Sequence, residues 1–394
     1  MIKETITIVG GGSSAHVLIP FLTNSSRSIN LYTRQPDKWQ NKIETELQNN
    51  EGEVLKTYYG DIDKISNDPK DVITQADIII LCMPVYKYYE AMESIAPHIK
   101  KGNVLLGTIY GQGGVNWMIE SIKEKFNLIN LNYFAVGLIP WIARTKEYGK
   151  KGITYGAKTS NCVAFNKSGE FDKRKEFLND LCYNTFGKGK FVEAKNFISL
   201  TLSVDNQIIH PSRMYGLFLK DGGKWENEDK VPFFYKDYDE LSADLLKGLD
   251  RDYSLIRERI KTIFKEINFE YMLDYLSLER FSYGSENTDI KSSFVKSETL
   301  GAIKTPVQSN DNGFFELNKN HRFFFDDIYN GIIIAKWFSE KLDIKVKVID
   351  EILRWSEVML NDRFLTDEGK INYENKKLGF PNYYGINKIE EAIK

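Results

Sequence analysis

The chain has 394 residues, of which 42% are hydrophobic and 27% charged, a composition typical of a folded protein of two or three domains. Its 53 basic and 55 acidic residues nearly balance, which argues against a nucleic-acid partner because such proteins present a basic face. Cys82, Cys162 and Cys182 form no C-x-x-C pair, so we expect neither a disulfide scaffold nor a metal site. The longest apolar stretch, residues 78–85, is too short to span a membrane, and no signal segment is evident; we expect a cytoplasmic protein.

The first half of the chain alternates strand and helix patterns. Residues 5–9 form a β-branched run typical of a buried strand, and a helical apolar pattern follows the glycines after it. Such alternation predicts an α/β domain with a parallel sheet covered by helices on both faces. Further strands are predicted at 28–33, 77–82, 103–107, 133–138, 153–156 and 161–165.

The second half has a different pattern, in which apolar residues recur at helical spacing. This spacing runs from Leu241 to Leu276, and two further helices are predicted at 326–339 and 349–360. The polar segment 282–320 is interpreted as a long loop with at most one short helix. We therefore expect a mostly α-helical C-terminal domain over residues 196–394.

A dinucleotide fingerprint follows the first predicted strand. Gly10 permits a tight turn, Gly12 allows close approach of a pyrophosphate, and Ala15 allows close packing of helix on strand. Ser13 and Ser14 lie at the start of the helix, where free N–H groups face phosphate charge. The pattern predicts a Rossmann-type dinucleotide-binding domain over residues 1–195.

The end of the second predicted strand indicates which dinucleotide is preferred. NAD sites usually carry an acidic residue there, whereas this sequence has Thr33 and Arg34. Arg34 could pair with a 2′-phosphate through two N–H groups, and Thr33 could donate a third hydrogen bond. We predict NADP(H); the alternative is that Arg34 is a solvated loop charge and that NAD is used.

Met83 and Pro84 follow the predicted strand 77–82. The carboxyl ends of parallel strands form the edge at which a nicotinamide would lie, so both residues are candidate cofactor contacts. Turn chemistry explains a rigid Met-Pro pair equally well.

His210 is the candidate proton-transfer residue among four histidines. It stands in a His-Pro pair just past the predicted domain junction, and a cleft between domains is the default position of a substrate site. From the residues alone, a catalytic and a structural role remain equally open. Asn206 lies four residues earlier and would share a helical face with His210, which makes it a candidate substrate or nicotinamide contact.

Several short motifs in a shared order and spacing give the chain its resemblance to the octopine/nopaline dehydrogenase family of opine dehydrogenases. The similarity runs nearly end to end. The motifs are residues 10–16, 138–144, 209–211, 214–216, 234–235, 242–246, 303–306 and 322–328.

The resemblance implies roles for three residues. His210 would be the general acid/base, Asp327 would hold and polarise its imidazole, and Arg322 would bind a substrate carboxylate. The implied reaction is the NADPH-dependent reductive condensation of a 2-oxo acid with an amino acid. Two alternatives stay open: Asp326 could face His210 instead, or Arg322 and Asp327 could form an ion pair at a helix start.

Two other functions are weighed against this one. A related two-domain reductase of a free 2-oxo acid would share the fold but usually relies on a lysine proton donor. A catalytically silent NADP-binding sensor would keep the dinucleotide fingerprint without turnover. The sequence leaves open the amino donor, the 2-oxo acid, the stereochemistry of the product and whether the chain forms a homodimer.

Overall fold

The computed structural model describes residues 3–49, 51–100, 102–295, 301 and 303–393. The chain divides into two compact units, one ending at Leu200 and the other beginning at Thr201. This division lies five residues after the predicted boundary between residues 195 and 196.

The first unit is an α/β domain, as predicted. Its strands are β1 (Glu4–Val9), β2 (Arg27–Tyr32), β3 (Lys42–Gln48), β4 (Val54–Asp61), β5 (Lys64–Ser66), β6 (Ile78–Leu81), β7 (Leu105–Thr108), β8 (Asn132–Val136), β9 (Trp141–Glu147), β10 (Lys151–Ala157), β11 (Ser160–Phe165) and β12 (Lys190–Glu193). Its helices are α1 (Ser13–Leu22), α2 (Pro69–Ile73), α3 (Tyr88–Ile95), α4 (Val115–Lys125), α5 (Glu170–Lys173), α6 (Lys175–Asp180) and α7 (Tyr183–Phe186).

The main sheet of this unit has eight strands in the order β12-β11-β8-β7-β6-β1-β2-β5. All neighbouring pairs are parallel except β8 and β11. The central strand β6 is Ile-Ile-Ile-Leu and is fully buried, as expected for a parallel strand covered on both faces. The β1–α1 connection lies at the carboxyl end of β1, which places the glycine fingerprint at the ligand-binding edge of the sheet.

A second sheet packs against α1, and the sequence patterns indicated one of its strands, β10, at residues 153–156. Its strand order is β4-β3-β10-β9. The contact is close, because a Cβ on Gly60 would lie 2.6 Å from the Pro20 Cα, and one on Gly152 would lie 2.9 Å from the His16 Cβ. Residues 15–22 of α1 are all buried, so the helix is enclosed rather than amphipathic.

The second unit is mainly helical, as predicted, with one small sheet. Its helices are α8 (Ile198–Leu202, which contains the division), α9 (Asn206–Asp221), α10 (Glu240–Ile263), α11 (Tyr275–Tyr283), α12 (Ile290–Val295), α13 (Arg322–Phe325), α14 (Ile333–Lys341), α15 (Lys347–Leu360) and α16 (Ile389–Ile393). Its strands are β13 (Lys224–Trp225), β14 (Val307–Ser309) and β15 (Phe315–Leu317), in the order β13-β15-β14.

Three details of this unit differ from the sequence expectations. The region 241–276 forms two helices rather than one, because α10 ends at Ile263 and α11 begins after Asp274. The Asp274 carboxylate caps α11 by accepting the Ser277 N–H. The predicted loop 282–320 contains β14 and β15 as well as α12. The predicted helix 326–339 is interrupted by a π-helical turn at Ile328–Ile332.

No helix in the described parts of the chain is long and apolar enough to cross a membrane.

Candidate functional site

The glycine turn between β1 and α1 has the geometry that a dinucleotide loop requires. Gly10 has φ +108°, and a Cβ there would lie 2.5 Å from the Cys82 carbonyl oxygen. Only glycine fits that backbone without strain and collision. Gly12 is exposed, and a Cβ on it would meet only the same carbonyl, at an ordinary 3.8 Å. Gly10 is therefore needed by the fold, and Gly12 leaves the backbone open to a ligand.

The start of α1 suits a phosphate. Gly12 is the N-cap residue, no side chain caps the helix, and its first turn has no acidic residue. The N–H groups of Ser13 and Ser14 therefore carry the positive end of the helix dipole, and no acidic residue of that turn neutralises it. The Ser13 hydroxyl lies 3.0 Å from the Thr145 hydroxyl of β9, and Ala15 is buried under the turn.

His16, which lies in the first turn of α1, holds the glycine turn in place. Its Nδ1 lies 2.9 Å from the Gly12 carbonyl oxygen, and its Nε2 accepts the Gly149 N–H at 2.7 Å. Burial lowers the pKa of His16, in keeping with the neutral ring that these contacts need. The imidazole thus ties the N-cap of α1 to the β9–β10 turn.

The remaining predicted cofactor residues flank the same edge of the first unit. Thr33 is buried just after β2, and its hydroxyl lies 3.0 Å from the position of a Cβ on Gly11. Arg34 is exposed and forms no ion pair with any residue that the structure describes. Met83 and Pro84 follow β6, and the Met83 Cε lies 3.2 Å from the position of a Cβ on Gly10.

Replacing each of the two glycines by alanine should separate folding from ligand binding. Gly10→Ala adds strain of about 1–3 kcal/mol for the positive φ, and more for the collision with Cys82, so it should lower the midpoint of thermal unfolding. Gly12→Ala should leave that midpoint near the wild-type value while weakening dinucleotide binding, measured by nucleotide fluorescence. Equal unfolding midpoints for the two variants would contradict the assignment of Gly10 to the fold and of Gly12 to ligand binding.

In the second unit, α9 carries His210 and Asn206. The carboxylate of Asp205, the N-cap residue, accepts the Asn206 N–H and so fixes where the helix begins. His210 follows Asn206 by four residues, so the two side chains share one face of the helix. Asn206 is half-buried and His210 is buried.

Asp327 is the carboxylate that meets His210. The His210 Nδ1 lies 2.7 Å from the Asp327 Oδ2, and both side chains are buried. The other ring nitrogen, Nε2, lies 3.2 Å from the Tyr235 hydroxyl. The imidazole stacks on Phe323, with ring centroids 3.6 Å apart and planes 18° from parallel. His210 is therefore fixed through both nitrogens and one face.

The backbone around Asp327 explains its position. Helix α13 ends at Phe325, and the Asp327 carbonyl accepts the N–H of Ile332, five residues ahead, at 2.8 Å. This is the hydrogen bond of a π turn, a feature that often occurs at functional sites. Asp326, the other candidate, is also buried, but it has no hydrogen bond to His210.

Burial governs the titration of the pair. It lowers the pKa of His210 well below its usual range, and Arg322 and His321 lower it further. It raises the pKa of Asp327 well above its usual range, against the opposing effect of Arg322. Burial thus favours the neutral imidazole, and one proton joins its Nδ1 to the Asp327 carboxyl oxygen.

Arg322 lies beside this pair with its charge available. It is exposed, its guanidinium carbon lies 5.2 Å from the centre of the Phe323 ring, and it makes no ion pair within the described residues. The predicted alternative of an Arg322–Asp327 ion pair is not what the structure has, because Asp327 is paired with His210. Phe323 is buried and contacts both side chains: it stacks on the imidazole, and its ring lies under the Arg322 guanidinium.

The sequence reasoning missed the role of the loop that carries Tyr235. The only available signal was that Phe234 and Tyr235 belong to the motifs shared with the family.

Across the described ranges, no group of three or more His, Cys, Asp or Glu residues could hold a metal ion.

Comparisons with known protein families match both halves of the chain. Residues 193–360 match the model of the NAD/NADP octopine/nopaline dehydrogenase α-helical domain. Residues 5–111 match the model of coenzyme F420-dependent NADP oxidoreductases. The first unit is thus that of a nucleotide-binding dehydrogenase.

Curated relatives match over nearly their whole length. An opine dehydrogenase of Haliotis discus hannai is 22% identical over 414 residues, covering 99% of this chain and 98% of the relative. A tauropine dehydrogenase of Arabella iricolor is 22% identical, covering 98% and 99%. An octopine dehydrogenase of Pecten maximus is 21% identical, covering 98% of each chain.

Solved structures share the fold. Octopine dehydrogenase with NADH and L-arginine superposes with a TM-score of 0.84 at 19% identity, covering 99% of this chain and 98% of that one. Yersinopine dehydrogenase with NADP+ superposes with a TM-score of 0.64 at 14% identity, covering 99% and 97%. Residues 193–360 thus match an octopine/nopaline dehydrogenase domain, the full-length relatives are opine, tauropine and octopine dehydrogenases, and the solved structures show that the fold is shared.

Proposed function

We propose that the chain catalyses the reductive condensation of a 2-oxo acid, such as pyruvate, with an amino acid, and that His210 and Asp327 carry out its proton transfers. The observation that supports this most is the buried 2.7 Å contact between the His210 Nδ1 and the Asp327 Oδ2, beside the available charge of Arg322. Relatives and neighbours named for opines, for octopine and for complexes with L-arginine or pyruvate support the same substrate classes.

Each residue has a distinct part in the proposal. Arg322 binds a carboxylate of the substrates, because its planar guanidinium matches two carboxylate oxygens. Protonated His210 assists loss of water from the amine adduct of the 2-oxo acid, and Asp327 stabilises the imidazolium. Asn206, on the same face of α9, contacts substrate or nicotinamide through its amide. A bound nicotinamide supplies the hydride that reduces the imine.

A preference for NADP(H) is part of the proposal, with NAD as the alternative. The turn after β2 offers Thr33 and the unpaired cation Arg34, and residues 32–34 contain no carboxylate to repel a 2′-phosphate. The known neighbours include complexes with NADH and with NADP+, so the choice rests on this chain's own residues. A cytoplasmic location is also proposed, supported by three buried cysteines that form no disulfide bond within the described residues.

Replacing Arg34 by alanine should weaken NADPH binding by at least about tenfold, the equivalent of one charge-assisted hydrogen bond, and should change NADH binding much less. Fluorescence titration with each dinucleotide measures the two dissociation constants. Arg251→Ala, which removes an exposed arginine of α10, is the control and should affect neither. Equal losses for NADPH and NADH in Arg34→Ala would mean that Arg34 does not contact the 2′-phosphate.

One assay tests the proposed reaction against its alternatives. Purified protein with NADPH and pyruvate is supplied with acidic, basic and neutral amino acids in turn, and nicotinamide absorbance is followed. We expect oxidation of NADPH only when an amino acid is present. Oxidation with pyruvate alone would indicate a 2-oxo acid reductase. Tight NADPH binding without turnover across a broad panel would indicate a silent sensor.

A further inference from the structure

The Tyr235 hydroxyl lies against the Nε2 of His210, the ring nitrogen that Asp327 does not bind. The imidazole has one hydrogen-bonding site on each nitrogen, directed outward in the ring plane. Asp327 takes the site at Nδ1, and the Tyr235 hydroxyl takes the site at Nε2. Phe323 stacks on one ring face at 3.6 Å, and Phe234 contacts the ring edge-on at a centroid distance of 5.6 Å. A substrate oxygen that met Nε2 directly would have to displace the tyrosine.

The loop that carries Tyr235 is held too firmly for easy displacement. The guanidinium of Arg213, fully buried in α9, donates to the carbonyl oxygens of Phe233, Phe234 and Asp237. On the other side of the loop, the Phe234 N–H donates to the Ile303 carbonyl. Since Arg213 follows His210 by three residues on the same helix, the phenol and the imidazole are fixed to a common support.

We propose that Asp327, His210 and Tyr235 form a three-membered proton relay in which the Tyr235 hydroxyl, rather than the imidazole, meets the reacting oxygen of the substrate. The inference rests on the proposed function and adds a residue to it. A phenol hydroxyl can accept one hydrogen bond while it donates another, which is what a relay position requires. Tyr235 is 7% exposed, whereas His210 is 1% exposed, so the tyrosine is the outer member of the series.

The amino donor arrives as an ammonium ion, and the proton that it loses before attack passes to His210, which becomes the imidazolium. Amine addition to the 2-oxo acid gives a carbinolamine, whose hydroxyl must leave as water. The Nε2–H of imidazolium His210 passes its proton to the Tyr235 oxygen, while the Tyr235 hydroxyl proton passes to the carbinolamine oxygen. The C–O bond breaks and its electron pair leaves with the water, and the nitrogen lone pair forms the C=N bond. The imidazolium becomes neutral imidazole, and the positive charge moves to the iminium.

Tyr235→Phe tests the relay, because it removes the hydroxyl and keeps the ring that packs against Phe234 and Phe294. We expect kcat to fall by about 10- to 100-fold, within the range of general acid–base effects, with the KM for pyruvate and the NADPH dissociation constant unchanged. Tyr238→Phe is the matched control. It removes from the same loop a buried hydroxyl that pairs with Ser212 at 3.0 Å and not with His210, and its kcat should stay close to the wild-type value.

A second measurement needs no turnover. In the free protein, the ¹⁵N resonance of the His210 Nε2 should move towards that of an unbonded nitrogen in Tyr235→Phe and stay in place in Tyr238→Phe. An unchanged Nε2 resonance in Tyr235→Phe would overturn the relay, even if the wild-type protein had no opine dehydrogenase activity. A wild-type kcat in Tyr235→Phe, with the wild-type protein active, would overturn the relay and leave the proposed function standing.

Discussion

His210→Ala is expected to lower kcat by at least about 100-fold, the low end of what a general acid–base residue contributes. The variant loses the side chain that links Asp327 to Tyr235. NADPH affinity should be nearly unchanged, because the predicted contacts with the pyrophosphate and the 2′-phosphate lie in the other unit. The measurements are steady-state kinetics with pyruvate and the best amino donor, and NADPH titration by fluorescence.

The variant also leaves the Asp327 carboxyl buried without its partner, which costs about 3–5 kcal/mol if the group stays charged. His210→Gln is therefore a needed companion, since its amide can still donate to Asp327 but cannot supply a proton. Thermal unfolding of both variants separates loss of structure from loss of chemistry. Wild-type kcat in a folded His210→Gln protein would remove His210 from the mechanism.

Asp327→Asn should lower kcat by about 10²–10⁴-fold while preserving side-chain volume. The asparagine amide can donate to Nδ1, which would put the proton of the neutral ring on Nε2. The Tyr235 hydroxyl could then no longer donate to that nitrogen, and the imidazolium would lose its stabilising carboxylate. The change in tautomer is measurable from the ¹⁵N shifts of the His210 ring.

Asp326→Asn is the matched control, because it neutralises a buried carboxyl one position away that does not bond to His210. We expect a smaller loss of kcat and no change in the His210 tautomer. A larger loss in Asp326→Asn than in Asp327→Asn would mean that the neighbouring carboxylate is the partner in the reacting enzyme.

The features of the fold that the sequence predicts are those with a strong local signal. β1, the glycine turn and α1 follow one another within 22 residues, and each has a characteristic pattern. β4 has no characteristic sequence pattern, since Val54 and Leu55 are 50% and 62% exposed and its side chains do not alternate between buried and exposed. It forms because β3 pairs with it and because Gly60 lets α1 approach, which are tertiary contacts that no local window contains.

The same distinction holds for the candidate site. His210 and Asp327 are 117 residues apart, and only the family resemblance implied their pairing. The choice between Asp326 and Asp327 depends on the backbone of the turn that follows, which is why composition and periodicity left it open. The position of Tyr235 depends on Arg213, whose buried guanidinium holds the loop through backbone carbonyl groups, and such contacts leave no pattern in the side chains of the loop.

The π turn after Asp327 has a consequence for how this stretch can change in evolution. A π turn equals an α-helix with one extra residue, and each residue of a regular helix advances the side chains by about 100°. Losing one residue from Ile328–Ile332 would let the helix close regularly and would rotate the aspartate away from the imidazole by about that angle, without altering any side chain in contact with substrate. Chain length in this short stretch is therefore as strict a requirement as the identity of the acid, and single-residue deletions here should be absent among active homologues.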